Sequence, residues 1–290
     1  MKLSRRSVLA AALVSAHRVA FAALPEGARP YRVDTLSFGA ANDLASLEAL
    51  RKASMDALVV DLMRYPRTFE TALAELRAFN ELEAQPDAPI RIIRRSADFE
   101  RARQERRLGI VLASQDASIL GHGMTDYAAA LEQFHALGLR VLQLTHNLRT
   151  AFGEGYMEPR DGGLSLAGRQ LVAAMNKRSM VIDLSHCSTR TILDAAAVSA
   201  APVIATHTGV RALAPTQRNM TDEATDAIAA TGGMVSVFGL TTWLTQDEQV
   251  TSDHVLAHIR YLGARIGIER VGFGSDGELA ATNAQDETSR

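Results

Sequence analysis

A chain of 290 residues, 47% apolar and 22% charged, can bury a large core, which excludes the intrinsically disordered and collagen-like classes. A formal net charge of −2 supplies no general attraction for nucleic acid or an anionic membrane surface, so the default partner is a small molecule. The lone cysteine, Cys187, rules out an intramolecular disulfide, and packing alone must hold the fold.

The chain opens MKLSRRSVLAAALVSAHRVAFAALPEG, with a basic start, an apolar stretch over 8–16 and an Ala20-Phe21-Ala22 that suits signal peptidase. The apolar stretch is too short to span a bilayer, so residues 1–22 are expected to be an export signal rather than an anchor. Arg5-Arg6 sits in Ser-Arg-Arg-Ser-Val-Leu, which resembles the twin-arginine export pattern. An ordinary basic start for the general secretion route is the alternative. Either route predicts a periplasmic or secreted chain with no membrane span in its mature form.

After the signal, short apolar runs alternate with longer amphipathic ones. Strands are predicted near 32–38, 57–63, 109–115, 140–146, 180–186, 202–208, 233–239 and 270–276. Helices are predicted over 68–82, 126–137, 166–178, 189–199, 222–231 and 252–266; IRIIRR at 90–95 is either an extra strand or part of a connection. About eight strand–helix units imply a parallel sheet closed as a (β/α)8 TIM-type barrel of the usual size, about 250 residues. The expected layout is one barrel domain over 31–276 and a polar tail over 277–290, without a final closing helix. No glycine-rich phosphate loop follows the first strand, which argues against a dinucleotide fold.

MVIDLSHC (180–187) is an apolar run that stops on a histidine, and PVIATHT (202–208) repeats the pattern. In a parallel barrel catalytic groups project from the C-terminal strand ends. Gln115, His146, His186, His207 and Asp276 all fall there. Strand alternation puts Ile182 and Leu184 on the face of His186, and Val203 and Ala205 on that of His207, while Asp183 is expected in the outer layer. Cys187 is expected to face away. His254 and His258, four apart on a predicted helix, are expected to be surface or packing residues; His122 and His135 lack a strand-end position.

LTHN (144–147), DGGLSLAGRQLVAAMN (161–176), IDLSHCS (182–188), ATHTGVRAL (205–213), QRNMTDE (217–223), DHVLAHI (253–259) and VGFGSD (271–276) together resemble the membrane dipeptidase (renal dipeptidase, M19) family, over roughly 109–276. The resemblance implies a zinc-dependent hydrolase of dipeptides on a (β/α)8 barrel. By that resemblance His186 and His207 match two metal-binding histidines, and His146 matches the histidine that polarises the scissile carbonyl. Arg218 matches the arginine that holds the substrate carboxylate, and Asp276 the aspartate that handles the proton.

The chain departs from the family pattern at three places. Asp34-Thr35-Leu36-Ser37-Phe38 stands where the family has Asp-Gly-His-Asn-Asp, and Gln115 stands at the bridging glutamate. A carboxylate bridges two cations through two anionic oxygens; an amide offers one neutral oxygen. The Asp-x-Asp-Gly ending is also missing, since Gly277 directly follows Asp276. One zinc is therefore expected, held by His186, His207 and Gln115, with Asp34 either a substitute ligand or a buried polar contact. Three functions follow: an exported hydrolase of dipeptides or similar small amides, a catalytically silent relative binding a small peptide or carboxylate, or a non-peptidase enzyme on the same barrel. A homo-oligomer is compatible with an uncovered last strand.

Overall fold

The computed structural model describes residues 29–39, 41, 43–62, 67–121, 127–239 and 241–278. The export signal, His122 and the tail from 279 onward lie outside these residues.

The described chain alternates strands and helices: β1 (Val33–Phe38), α1 (Leu44–Lys52), β2 (Ala57–Asp61), α2 (Phe69–Glu83), β3 (Ile90–Ile92), α3 (Ala97–Gln104), β4 (Leu108–Ser114) and α4 (Tyr127–Ala136). It continues through β5 (Leu139–Gln143), α5 (Leu166–Lys177), β6 (Val181–Asp183), α6 (Thr189–Val198), β7 (Ala205–Thr208), α7 (Asp222–Ala230), β8 (Val235–Phe238), α8 (Ser252–Ile266), β9 (Val271–Gly274) and β10 (Gly277–Glu278). β2 and β4 are buried along their whole length, as parallel strands covered on both faces must be. Helix starts are written in the sequence: Ser165, Ser188 and Thr221 each accept a hydrogen bond from the third residue of the helix they precede.

All strand pairs are parallel, and eight strands form two arcs of a TIM-type barrel, β1-β2-β4-β5-β6 and β7-β8-β9. At the first seam, between β6 and β7, Ile204 makes the main-chain bonds: its N–H donates to Ile182 O at 3.0 Å and its carbonyl accepts from Leu184 N–H at 2.8 Å. At the second, Asp276 N–H donates to Leu36 O at 3.0 Å and Ser275 N–H to the Asp34 carboxylate at 2.8 Å. Thr35 Oγ1 donates to Thr206 O at 2.8 Å, and a Cβ at Gly274 would collide with that same carbonyl. The barrel is thus pinched where β1, β7 and β9 meet, and only glycine fits at 274.

The ambiguous segment 90–95 forms β3, which pairs with the first half of β4 on the edge that β5 takes over from Leu112 onward. Sequence periodicity missed α1 and α3 for one reason: α1 buries only Ser46 and Leu47, and α3 only Asp98 and Ala102, too thin a stripe to register. No helix follows β9 among the described residues; β10 pairs with β1 beside Ser37 and Phe38. No helix among them is long and apolar enough to cross a membrane.

Candidate active site

The strands end earlier than alternation predicts. β5 stops at Gln143 and β6 at Asp183, so His146 and His186 lie on the turns beyond, while His207 is within β7. His186 has φ 59° and Asp276 φ 52°, the left-handed region that non-glycine residues seldom adopt. Such conformations persist where the surroundings over-determine them, and they cluster at functional sites. The loop after β5 supplies the restraint on His186: Tyr156 N–H donates to His186 O at 2.8 Å, and Gly155 lies so close to Asn147 O that a side chain there would collide.

The turn aims His186 at His207. Their Nε2 atoms stand 2.7 Å apart, and the ring of His146 stacks on His186 with centroids at 4.4 Å. Each Nδ1 is occupied. His186 Nδ1 bonds Asn147 Oδ1 at 2.8 Å, so it carries the proton. Thr206 gives its own hydroxyl proton to Asp183 Oδ2 at 2.6 Å and accepts from His207 Nδ1 at 2.9 Å. Both Nε2 lone pairs therefore face one another, an arrangement that calls for a cation between them. Burial, and then the Arg218 charge, hold both rings well below the usual histidine range, which opposes a shared proton.

This donor set fits one metal ion of zinc's borderline softness, for which imidazole is a preferred ligand. Tetrahedral zinc with bonds of about 2.0–2.1 Å separates two nitrogens by roughly 3.3 Å, so the rings need only a small opening. Among the described residues no group of three His, Cys, Asp or Glu side chains gathers to complete a larger site. Leu36 is buried in the core at a position where the resemblance implies a ligand. Gln115 is buried at the end of β4, its backbone N–H and its Nε2 both donating to Asp61 at 2.8 and 3.1 Å. Asp34 accepts from Leu36 and Ser275 N–H, a buried polar contact at the seam.

Arg218 is buried beneath the cup. Its Nη2 donates to His207 O at 3.1 Å, whereas Nη1 has no hydrogen-bond partner among the described residues. Burial lowers the guanidinium to about 10, and the negative charge of Asp276 counters that fall. Burial raises Asp276 above the ordinary carboxylate range, Arg218 pulls it back and Asp34 raises it further. His146 is pushed down to about 4 by burial and by the charges of Arg67 and Arg218, so it is neutral at pH 7 and keeps one N–H to donate. Tyr156 and Trp243 wall the mouth, their rings in edge contact at 6.4 Å.

Several supporting residues escape sequence reasoning. Asp183 is no outer-layer residue: it is buried, Oδ1 accepting from Ser185 and Thr206 N–H, and it orients His207 through Thr206. It shares a face with Val181, which packs with Val59, Val111 and Val141 inside the barrel, whereas Ile182 and Leu184 pack among helix residues such as Val172 and Ile192, so the face expected to line the barrel is the outer one. Arg67 forms a buried ion pair with Asp61 at 2.9 Å and acts on all three histidines, with nothing in its local sequence to mark it. His258 is buried, accepting from Val210 N–H at Nδ1 and donating to Leu244 O from Nε2; His254 bonds Thr251 at the start of α8 and pairs with Asp247. Cys187 Sγ accepts from Thr145 Oγ1, and burial raises the thiol to about 12.

Comparison with known proteins places this geometry. Residues 42–286 match the family model described as membrane dipeptidase, peptidase family M19. The chain belongs to that family. One curated member, dipeptidase tcpJ of Claviceps purpurea, is 35% identical over 168 residues, 55% of this chain and 39% of that protein. The chain thus spans less than half the length of that relative. An uncharacterised protein from the pqqA 5′ region of Klebsiella pneumoniae is 32% identical over 70% of this chain and 77% of its own length. Among solved structures, an amidohydrolase from Pseudomonas aeruginosa superposes with a TM-score of 0.77 at 28% identity, covering 86% of this chain and 74% of that one. Members of the family are metal-dependent dipeptide hydrolases.

Proposed function

We propose that this chain is an exported hydrolase of dipeptides or similar small amides that works with one zinc ion rather than two. The observation that carries the proposal is the opposition of the His186 and His207 Nε2 atoms at 2.7 Å, with each Nδ1 committed elsewhere. His186 and His207 would hold the ion, and Gln115 is the proposed third ligand through its amide oxygen. A bound zinc supplies Lewis-acid polarisation of the scissile carbonyl and acidifies water.

The chain's own residues do the rest. Arg218, with a buried Nη1 that lacks a partner among the described residues, pairs with the substrate carboxylate and fixes its distance from the histidines. Asp276, held on a left-handed turn and raised by burial, takes a proton from the attacking water and returns it to the leaving amine. His146, neutral at pH 7, donates its N–H to the oxygen that gains charge in the transition state. The reading is tested by amino-acid release from a panel of dipeptides with zinc-supplemented protein. Turnover that disappears in Asp276→Asn supports it; no release from any dipeptide contradicts it.

A second reading, a silent relative that binds a small peptide or carboxylate, is favoured by Leu36 and by the tethering of Gln115 to Asp61. Dipeptide binding that depends on Arg218 but produces no hydrolysis would select it.

A further inference from the structure

Away from the histidine cup, on the flank where β3 ends and β5 begins, lies a cavity of about 390 Å³. It is lined by Arg91, Arg94, Arg95, Arg101 and Arg140, with Asp98 as its lone acidic residue. None of these residues belongs to the site described above.

The charges there do not balance. Arg91 is paired with Glu105 and Arg94 with Glu83, at 2.6 and 2.8 Å. Asp98 is left to answer three guanidinium groups. Its Oδ2 is spent on the backbone N–H groups of Arg94 and Arg95, both at 3.0 Å. Its Oδ1 meets Arg95 Nε and Arg101 Nη1 only at 3.5 Å, long for a charged hydrogen bond. Arg140 donates to three main-chain carbonyls, those of Arg94, His135 and Leu139, and has no carboxylate within ion-pair distance among the described residues. Five guanidinium groups against three carboxylates leave two positive charges uncompensated in one concave site. Arg95 and Arg101 have side chains 65% and 49% exposed, so both can swing onto a ligand without disturbing the core.

We propose that this flank cavity binds a diphosphate group. Arg95 and Arg101, both within 3.5 Å of Asp98 Oδ1, offer the planar paired donors that match phosphate oxygens, and two uncompensated charges match a multiply charged oxyanion better than a monoanion. The cavity is larger than a single phosphate requires. Strands β3, β4 and β5 tie it to the barrel wall, so binding is expected to stabilise the fold.

The test is titration calorimetry of the full chain with inorganic pyrophosphate at low ionic strength, with sulfate as reference and ADP as a second arm. Pyrophosphate should bind at least tenfold tighter than sulfate, and raise Tm. The double variant Arg95→Gln/Arg101→Gln should lose about tenfold or more in pyrophosphate affinity while keeping the wild-type circular dichroism spectrum. Equal binding of ADP and pyrophosphate would show that the diphosphate alone is read; tighter ADP binding would show a nucleoside diphosphate ligand. Pyrophosphate binding no tighter than sulfate, or binding unchanged in the double variant, would overturn the proposal. Both readouts are independent of dipeptide hydrolysis.

Discussion

Replacing Asp183 by asparagine tests the link between a buried carboxylate and the proposed metal site without touching either histidine. The amide oxygen of the new side chain can stay on the Ser185 and Thr206 N–H groups, where the native Oδ1 accepts at 2.9 and 3.1 Å. The change falls on Oδ2, which takes the Thr206 hydroxyl proton at 2.6 Å. An amide NH2 there donates instead, and Thr206 must turn its own proton toward His207 Nδ1. His207 then carries its proton on Nε2 and no longer offers the lone pair that faces His186. Losing an outer partner of a metal-binding histidine typically costs 10–100-fold in affinity, or about 1.4–2.7 kcal/mol. Competition against a chromophoric chelator should show zinc affinity falling by that factor in Asp183→Asn. Thr206→Val should weaken zinc in the same direction, since it removes the hydroxyl that connects the two. If both variants bind zinc as tightly as wild type, the tautomer assignment is wrong and the histidine pair is not set by this chain of hydrogen bonds.

Arg218→Lys keeps a charge but loses the planar fork; kcat/KM for dipeptides should fall about 100-fold, chiefly through KM, in steady-state assays. Because Asp276 must be ionised to accept a proton and burial raises it, activity should be lost on acidification above the pH at which an ordinary aspartate titrates. Removing the Arg218 charge should move that acid limb further up, as a pH profile of kcat/KM on Arg218→Met will show. His258 is held below the usual histidine range, first by burial, with the bond to Leu244 O countering and His254 adding to the fall. The unfolded chain therefore takes up this proton first, at about pH 6.5, and stability should fall as pH drops from there toward the folded value. His258→Gln, whose amide can replace both bonds, should flatten that part of the slope in urea melts between pH 7.5 and 5.5.

Much of the architecture is legible because burial on both faces writes itself into composition: ALVVD and LGIVLAS cannot be anything but interior strands once the alternation with helices is seen. The capping serines and threonines mark helix starts with similar clarity. What fails is alternation past the strand ends. His186 reaches His207 through a left-handed turn, not through β pleating, and sequence parity has no access to a positive φ. Asp183 is hidden for a different reason: it shares the inner face with Val181, and the face taken for the interior, that of Ile182 and Leu184, packs against the helices. Arg67 and Asn147 come from loops, where spacing carries no direction, and only their contacts with Asp61 and His186 give them a place in the site.

Metal content of the purified full chain, measured by elemental analysis beside protein concentration, bears most directly on the single-ion site. About one zinc per chain in wild type, falling to background in His186→Ala and in His207→Ala, is the expected result. A chain that holds no zinc after equilibration with a buffered excess, or one that holds two, would contradict it.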